Sequence, residues 1–152
     1  MIIAVDAAGG EYAPHEIVKG SIKAAHDYGI AIALIGRKDL LHVQAGRHRM
    51  NLDISLVDAS QTIEDHESPV EAVNNKPDSS IMVGINMVKS GKADAFVSAG
   101  NTGAVLYSSL MTLGRIQGIE RPGIASIINV NVTTPVLLID SGANANCRPN
   151  HL

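Results

Sequence analysis

An α/β fold with a largely parallel sheet is what the sequence predicts. Three observations predict it: short runs rich in Ile, Val and Leu, helix-period segments between them, and glycine with small polar residues where the runs end. The first run, Ile2 to Val5 in "MIIAVDAAGG", is closed by Asp6 and a Gly pair, as a strand buried on both faces would be. In "APHEIVKGSIKAAHDYG", Pro14 suits a first helical turn, Ile17, Val18, Ile22 and Ala25 share a face, and Gly29 suits the C-cap. "IAIALIG" (30–36) reads as a second buried strand, "RKDLLHVQAGRHRM" as a weaker helix, and "LDISLVDAS" (52–60) as a third strand. The polar stretch "QTIEDHESPVEAVNNKPDSS" reads as a loop carrying a short helix around Pro69 to Asn74. Asp78 or Ser79 then caps a helix on which Ile81, Met82, Ile85, Met87 and Val88 repeat near a 3.6-residue period. "ADAFVSA" is the fourth strand, ending buried at Ala95 to Val97, and "GAVLYSSLMTLGRI" is its helix. "GIASIINV" and "PVLLIDSGA", separated by "NVTT", are the last two strand candidates. There is no internal repeat, low-complexity tract or linker, so the expectation is a single α/β segment over 1–152.

Composition narrows the function. The chain has 152 residues, 45% hydrophobic and 18% charged, which is globular rather than disordered. A net charge of −3 without a basic stretch argues against nucleic acid, and 3% aromatics argues against base-stacking platforms. Cys147 is the one cysteine, so an intrachain disulfide is impossible and a reducing compartment fits. It has only His151 near it, and His15, His26, His42, His48 and His66 show no ligand spacing, so no metal is expected. No apolar stretch approaches ~20 residues, so neither a spanning helix nor a signal peptide is expected.

Ligands of open α/β sheets bind beyond the carboxyl ends of the strands, where helix N-termini present free N–H groups. "VDAAGG", "SAGNTGA" and "IDSGANAN" all fall at that edge. Gly9, Gly10, Gly100, Gly103 and Gly142 permit close backbone approach, and Ser98, Asn101 and Thr102 add hydrogen-bonding side chains. A helix starting near Gly103 adds its dipole, and together these make a cradle for phosphate or carboxylate. Each loop alone reads first as an ordinary turn, and it is three of them at one sheet edge that favour a site. Asp6 and Asp140 read either as site carboxylates or as loop braces. Arg115 and Arg121, in "GRIQGIERPG", read either as phosphate ligands or as solvated arginines. Neither G-x-x-x-x-G-K-[ST] nor G-x-G-x-x-G is present, so standard nucleotide fingerprints are absent.

"AVDAAGGEYAP", "KPDSSIMVGINMVKSGKADAFVSAGNTGA", "GRIQGIERPGIA" and "LLIDSGANANCRPNHL", in this order, resemble the bacterial phosphate acyltransferases of phospholipid synthesis (the PlsX family). The resemblance runs the length of the chain, and because that family is about twice as long, it implies an N-terminal half. It implies a three-layer fold like those of isopropylmalate dehydrogenases and phosphate acetyltransferases. It also implies a cytoplasmic homodimer, peripheral at the membrane, that moves a long-chain acyl group from acyl carrier protein to inorganic phosphate. No cofactor is implied, and the product would feed a membrane glycerol-phosphate acyltransferase. Family positions carry over as Asp6, Gly9, Gly10, Ser98, Gly100, Asn101, Thr102, Gly103, Arg121, Asp140, Gly142, Ala143 and Asn144. On this reading Ser98, Gly100, Asn101, Thr102, Gly103 and Arg121 hold phosphate, and Gly9, Gly10, Gly142 and Asn144 shape the loops. Asn101, Asp140 and Asp6 are the catalytic candidates. The chain departs from the family pattern at Ala8, Glu11, Asn74 and Asn146, the last losing a carboxylate. The alternatives are an anion-binding module without turnover and an inactive fragment.

Overall fold

The computed structural model describes residues 1–131, 134–144 and 146. Cys147 and His151 lie outside them. The chain forms two compact units, Met1–Thr112 and Leu113–Leu152.

In the first unit a four-stranded parallel sheet has the order β3-β2-β1-β4, with β1 (Ile2–Asp6), β2 (Ala31–Gly36), β3 (Ile54–Asp58) and β4 (Ala95–Val97). Alternation along the strands sends side chains to two separate cores. Ile32 and Leu34 of β2 meet Val18 and Ala25 of α1 (His15–Tyr28) and Leu41 and Ala45 of α2 (Lys38–Ala45). Ala4 and Ile35 face the other way, toward Val83, Met87 and Val88 of α4 (Ser80–Lys89). The sheet therefore has helices on both faces. α3 (Pro69–Asn75), α4 and α5 (Thr102–Leu113) share a third cluster built on Ala72, Val73, Ile81, Ile85 and Ala104. α4 comes close to the sheet because Gly84 has no Cβ; one there would collide with the ring of Phe96.

The helix ends follow the local sequence. Gly29 closes α1 in the left-handed region at φ 62°, donating its N–H to the Ala25 carbonyl. Pro69 opens α3 at its first turn, and the Ser79 hydroxyl caps α4 by accepting from Met82 N at 3.4 Å. α5 stops at Leu113, short of the expected Ile116, because Gly114 turns to φ 82°.

Two expectations change. β4 is the outermost strand of its sheet, so Val97 is 52% exposed rather than buried. β5 (Ser126–Asn131) and β6 (Thr134–Leu138) do not extend the parallel sheet. They pair antiparallel with each other, as a separate two-stranded sheet in the second unit. The cause is connection length: parallel neighbours need a crossover of about a dozen residues or more, and this link is far shorter.

Candidate functional site

The chain proceeds β1, β2, β3 to one side and then places β4 on the other side of β1. The strand order thus reverses between β1 and β4, where α/β sheets open a crevice at the strands' carboxyl ends. The loops after these two strands, 7–10 and 98–101, meet there. Asp6 is 1% exposed, and its Oδ1 accepts from the N–H groups of Ala8 and Gly9, each at 3.0 Å. Its Oδ2 accepts from the Ser98 hydroxyl at 2.7 Å, and Ser98 Oγ accepts from Gly100 N at 3.0 Å. The backbones of Gly9 and Gly100 touch: a Cβ on Gly9 would lie 2.9 Å from Gly100 Cα and inside the Asp6 carboxylate. Gly10 stands at φ 104°, and a Cβ there would lie 3.1 Å from Ala99 Cβ.

Asn101, 8% exposed, caps α5. Its Oδ1 accepts from Ala104 N at 2.9 Å, while its Nδ2 faces the carbonyls of Glu64, Asp65 and Glu67 at 3.2–3.3 Å. The amide orientation is determined by these partners, since the reverse would set oxygen against three oxygens. Beside it Gly103 packs against Pro69, whose Cγ would lie 2.6 Å from a Cβ there. Thr102 is exposed. Among the described residues the N–H groups of Thr102 and Gly103 have no hydrogen-bond partner, as expected for the first turn of a helix.

In the second unit Asp140 organises its own loop. Oδ1 accepts from Ile124 N at 2.8 Å, Ala143 N at 3.0 Å and Gly142 N at 3.2 Å. Oδ2 accepts from Asn144 N at 2.6 Å and Nδ2 at 2.9 Å, and the same Nδ2 reaches the Pro122 carbonyl. These donors, the Ala143 N–H first, hold the Asp140 carboxyl far below the ordinary aspartate range. Arg121 is exposed, and Arg115 donates to the Glu120 carbonyl at 2.5 Å.

The model of the fatty acid synthesis protein family matches residues 1–152. The chain belongs to this family. A phosphate acyltransferase of Dehalococcoides mccartyi is 54% identical over 152 residues, covering all of this chain and 44% of that protein. Phosphate acyltransferases of Thermoanaerobacterium thermosaccharolyticum and Thermoanaerobacter pseudethanolicus are 46% and 47% identical, covering 44% and 45% of their lengths. The chain spans less than half the length of these curated relatives.

The first unit of this family member brings together Asp6, Gly9, Gly10, Ser98, Gly100, Asn101, Thr102 and Gly103. Arg121, Asp140, Gly142 and Asn144 belong to the second unit. Two groups emerge only from the structure. One is the 64–67 backbone that receives the Asn101 amide. The other is Arg37, which with Ala7, Ala8, Gly10, Glu11 and Glu64 lines a cavity of about 330 Å³ beside the first glycine loop. Arg37 is paired with Asp39 at 2.7 Å, so with Glu11 and Glu64 the cavity carries more carboxylate than cation and is a poor phosphate site. The free N–H groups at the start of α5 are the better one.

The loop under Asn101 is itself tied by an ion pair, Lys76 Nζ to Glu67 Oε2 at 2.5 Å, and Lys76 also donates to the Thr62 carbonyl at 2.7 Å. The Lys76 ammonium, then the Glu64 N–H, hold the Glu67 carboxyl below the usual glutamate range. A lowered folded-state value means stabilisation that is present above the unfolded pKa and is lost as pH falls through the folded one. Lys76→Met is therefore expected to lower the urea midpoint more at pH 7 than at pH 3, where only the loss of the bond to the Thr62 carbonyl remains. A deficit that is equal at both pH values would exclude the ion pair as its cause.

Proposed function

We propose that these residues form the acceptor side of an enzyme that transfers a long-chain fatty acyl group from acyl carrier protein to inorganic phosphate. The observation that carries the reading is the cradle at the reversal of strand order, in a chain whose relatives are named phosphate acyltransferase. Phosphate binds at the N-terminus of α5, on the free N–H groups of Thr102 and Gly103 and the Thr102 hydroxyl. A phosphate oxygen attacks the thioester carbonyl, the tetrahedral centre collapses, and the carrier thiolate leaves and takes a proton, giving acyl phosphate and free thiol. The protein's part is positioning and charge stabilisation.

Direct attack is favoured over an acyl-Ser98 intermediate on chemical grounds. An oxygen ester has a lower acyl-transfer potential than acyl phosphate, so that route would make the second step uphill. Ser98 is also held by its bonds to Asp6 and Gly100. Asn101 acts in the same way, orienting α5 rather than touching phosphate. The wider proposal is an isopropylmalate dehydrogenase-like or phosphate acetyltransferase-like fold working as a cytoplasmic homodimer, peripheral at the membrane. Its acyl phosphate would pass to a membrane glycerol-phosphate acyltransferase. Among the described residues no helix is long and apolar enough to cross a membrane.

The test is incubation of palmitoyl-acyl carrier protein with phosphate and trapping of acyl phosphate by hydroxylamine. It is run on the chain alone and on the Dehalococcoides relative carrying this chain in place of its matching segment. Phosphate-dependent hydroxamate from the chimera is expected. Saturable phosphate binding without hydroxamate would overturn the enzyme reading in favour of an anion-binding module.

A further inference from the structure

We infer that Asp6 is a positioning residue for the phosphate acceptor, acting through Ser98 and the two glycine loops without touching phosphate. The inference rests on the cradle reading above and adds to it the device that sets the cradle's shape.

Asp6 is the one buried carboxylate among the described residues, and its hydrogen bonds reach both loops. Oδ1 fixes the turn after β1 through Ala8 and Gly9. Oδ2 fixes the turn after β4 through Ser98, ninety-two residues away in the chain. The polarity of this relay matters. An ionised carboxylate only accepts, so the Ser98 proton points at Asp6 and the Ser98 oxygen is left to accept from Gly100 N. Gly100 is thereby drawn against Gly9, at a contact where a Cβ on Gly9 does not fit and one on Gly100 would lie 3.1 Å from Gly9 Cα. Asn101, Thr102 and Gly103 follow directly, so the direction in which the first N–H groups of α5 emerge is set from β1. The relay adds to the three-residue pairing of the edge strand β4 with β1 and to the Asn101 amide on the 64–67 backbone, and among the described residues it alone ties the loop to the turn after β1.

Asp6→Asn is nearly isosteric but reverses the relay. Its amide nitrogen donates to Ser98, whose own proton is then free to turn elsewhere. Inorganic phosphate binding to the chain, followed by calorimetry and by phosphorus NMR, is expected to weaken about tenfold, a small angular error in a charge-assisted contact being sufficient. Ser98→Ala is expected to weaken it similarly, and Ser98→Thr to restore it. The double variant Asp6→Asn/Ser98→Ala should be no worse than the more affected single variant, because both break one relay. Amide exchange at Gly9 and Gly100 should quicken in step.

Losses that add in the double variant, or unchanged phosphate affinity with slowed or equal exchange, would overturn the inference. A general loss of the urea midpoint that Ser98→Thr does not rescue would reduce Asp6 to a core residue. Wild-type chain that fails to bind phosphate would overturn the positioning role together with the cradle. Phosphate binding that obeys the relay, with no acyl transfer in the chimera, would leave the inference standing and remove only the enzymatic reading.

Discussion

Gly9→Ala is expected to be the most damaging small substitution in the first unit, costing about 3 kcal/mol and abolishing phosphate binding. The added methyl group would collide with Asp6 Oδ2 and lie 2.9 Å from Gly100 Cα and 3.0 Å from Gly100 N. None of these can step aside cheaply. Two are backbone atoms, and the third is a carboxylate held by Ala8, Gly9 and Ser98. Relief requires the 7–10 loop to leave the 98–101 loop, which breaks the relay and turns the start of α5. Urea denaturation and phosphate titration of the same preparation check both parts. Gly20→Ala is the control: α1 offers open space there, with nothing within 4 Å of the new Cβ. Helix propensity should then make that variant more stable by roughly 0.5–1 kcal/mol. If Gly9→Ala behaves like Gly20→Ala, the two loops are not in contact in solution.

That contrast shows what the sequence can and cannot disclose. β1 and β2 are legible because strands buried on both faces need continuous apolar runs, and "IIAV" and "AIALIG" are such runs. The carboxyl edge is legible for a related reason: each run stops at glycine and small polar residues. Which glycine is crowded is not legible, because Gly9 and Gly20 differ only in what the rest of the fold brings to them. The β5–β6 pairing was within reach, since four residues between two apolar runs suit a hairpin and cannot carry a parallel crossover. Exposure of Val97 was not, because an edge strand and a central one share the same apolar pattern when short.

The structure brings the polar residues of the two glycine loops together at the carboxyl edge, but single-residue reasoning does not give their hydrogen-bond partners. Asn101 and Ser98 look like ligand donors when only their chemistry is considered. In the fold Asn101 meets Glu64, Asp65 and Glu67, and Ser98 meets Asp6. These partners lie from 34 to 92 positions away, and no local pattern announces them. Asp140 is the informative counter-case. Its donors at Gly142, Ala143 and Asn144 follow within four residues, so its bracing role is visible in "DSGAN" itself.

Asn101→Asp separates the two roles of that side chain. Asp is as good an N-cap as Asn and adds a favourable charge at the helix N-terminus, so a residue that only capped α5 would tolerate the change or gain from it. The structure leads to the opposite expectation. The new carboxylate would keep its bond to Ala104 N but turn an oxygen toward the carbonyls of Glu64, Asp65 and Glu67 in a site only 8% exposed. Three donated contacts become three repulsions, and we expect a loss of about 2 kcal/mol or more. Asn101→Ser, which caps without charge and without reaching the loop, should lose roughly 1 kcal/mol. The pH dependence supplies the sign. Repulsion raises the new carboxyl's folded-state pKa, so its cost is largest at neutral pH and shrinks on acidification, when a protonated oxygen can donate to one carbonyl. Urea midpoints of the three proteins at pH 7 and pH 5 decide the matter. If Asn101→Asp matches the wild type at pH 7, the 64–67 loop stands without Asn101, and the start of α5 is held by Gly103 against Pro69 and by the relay from Asp6.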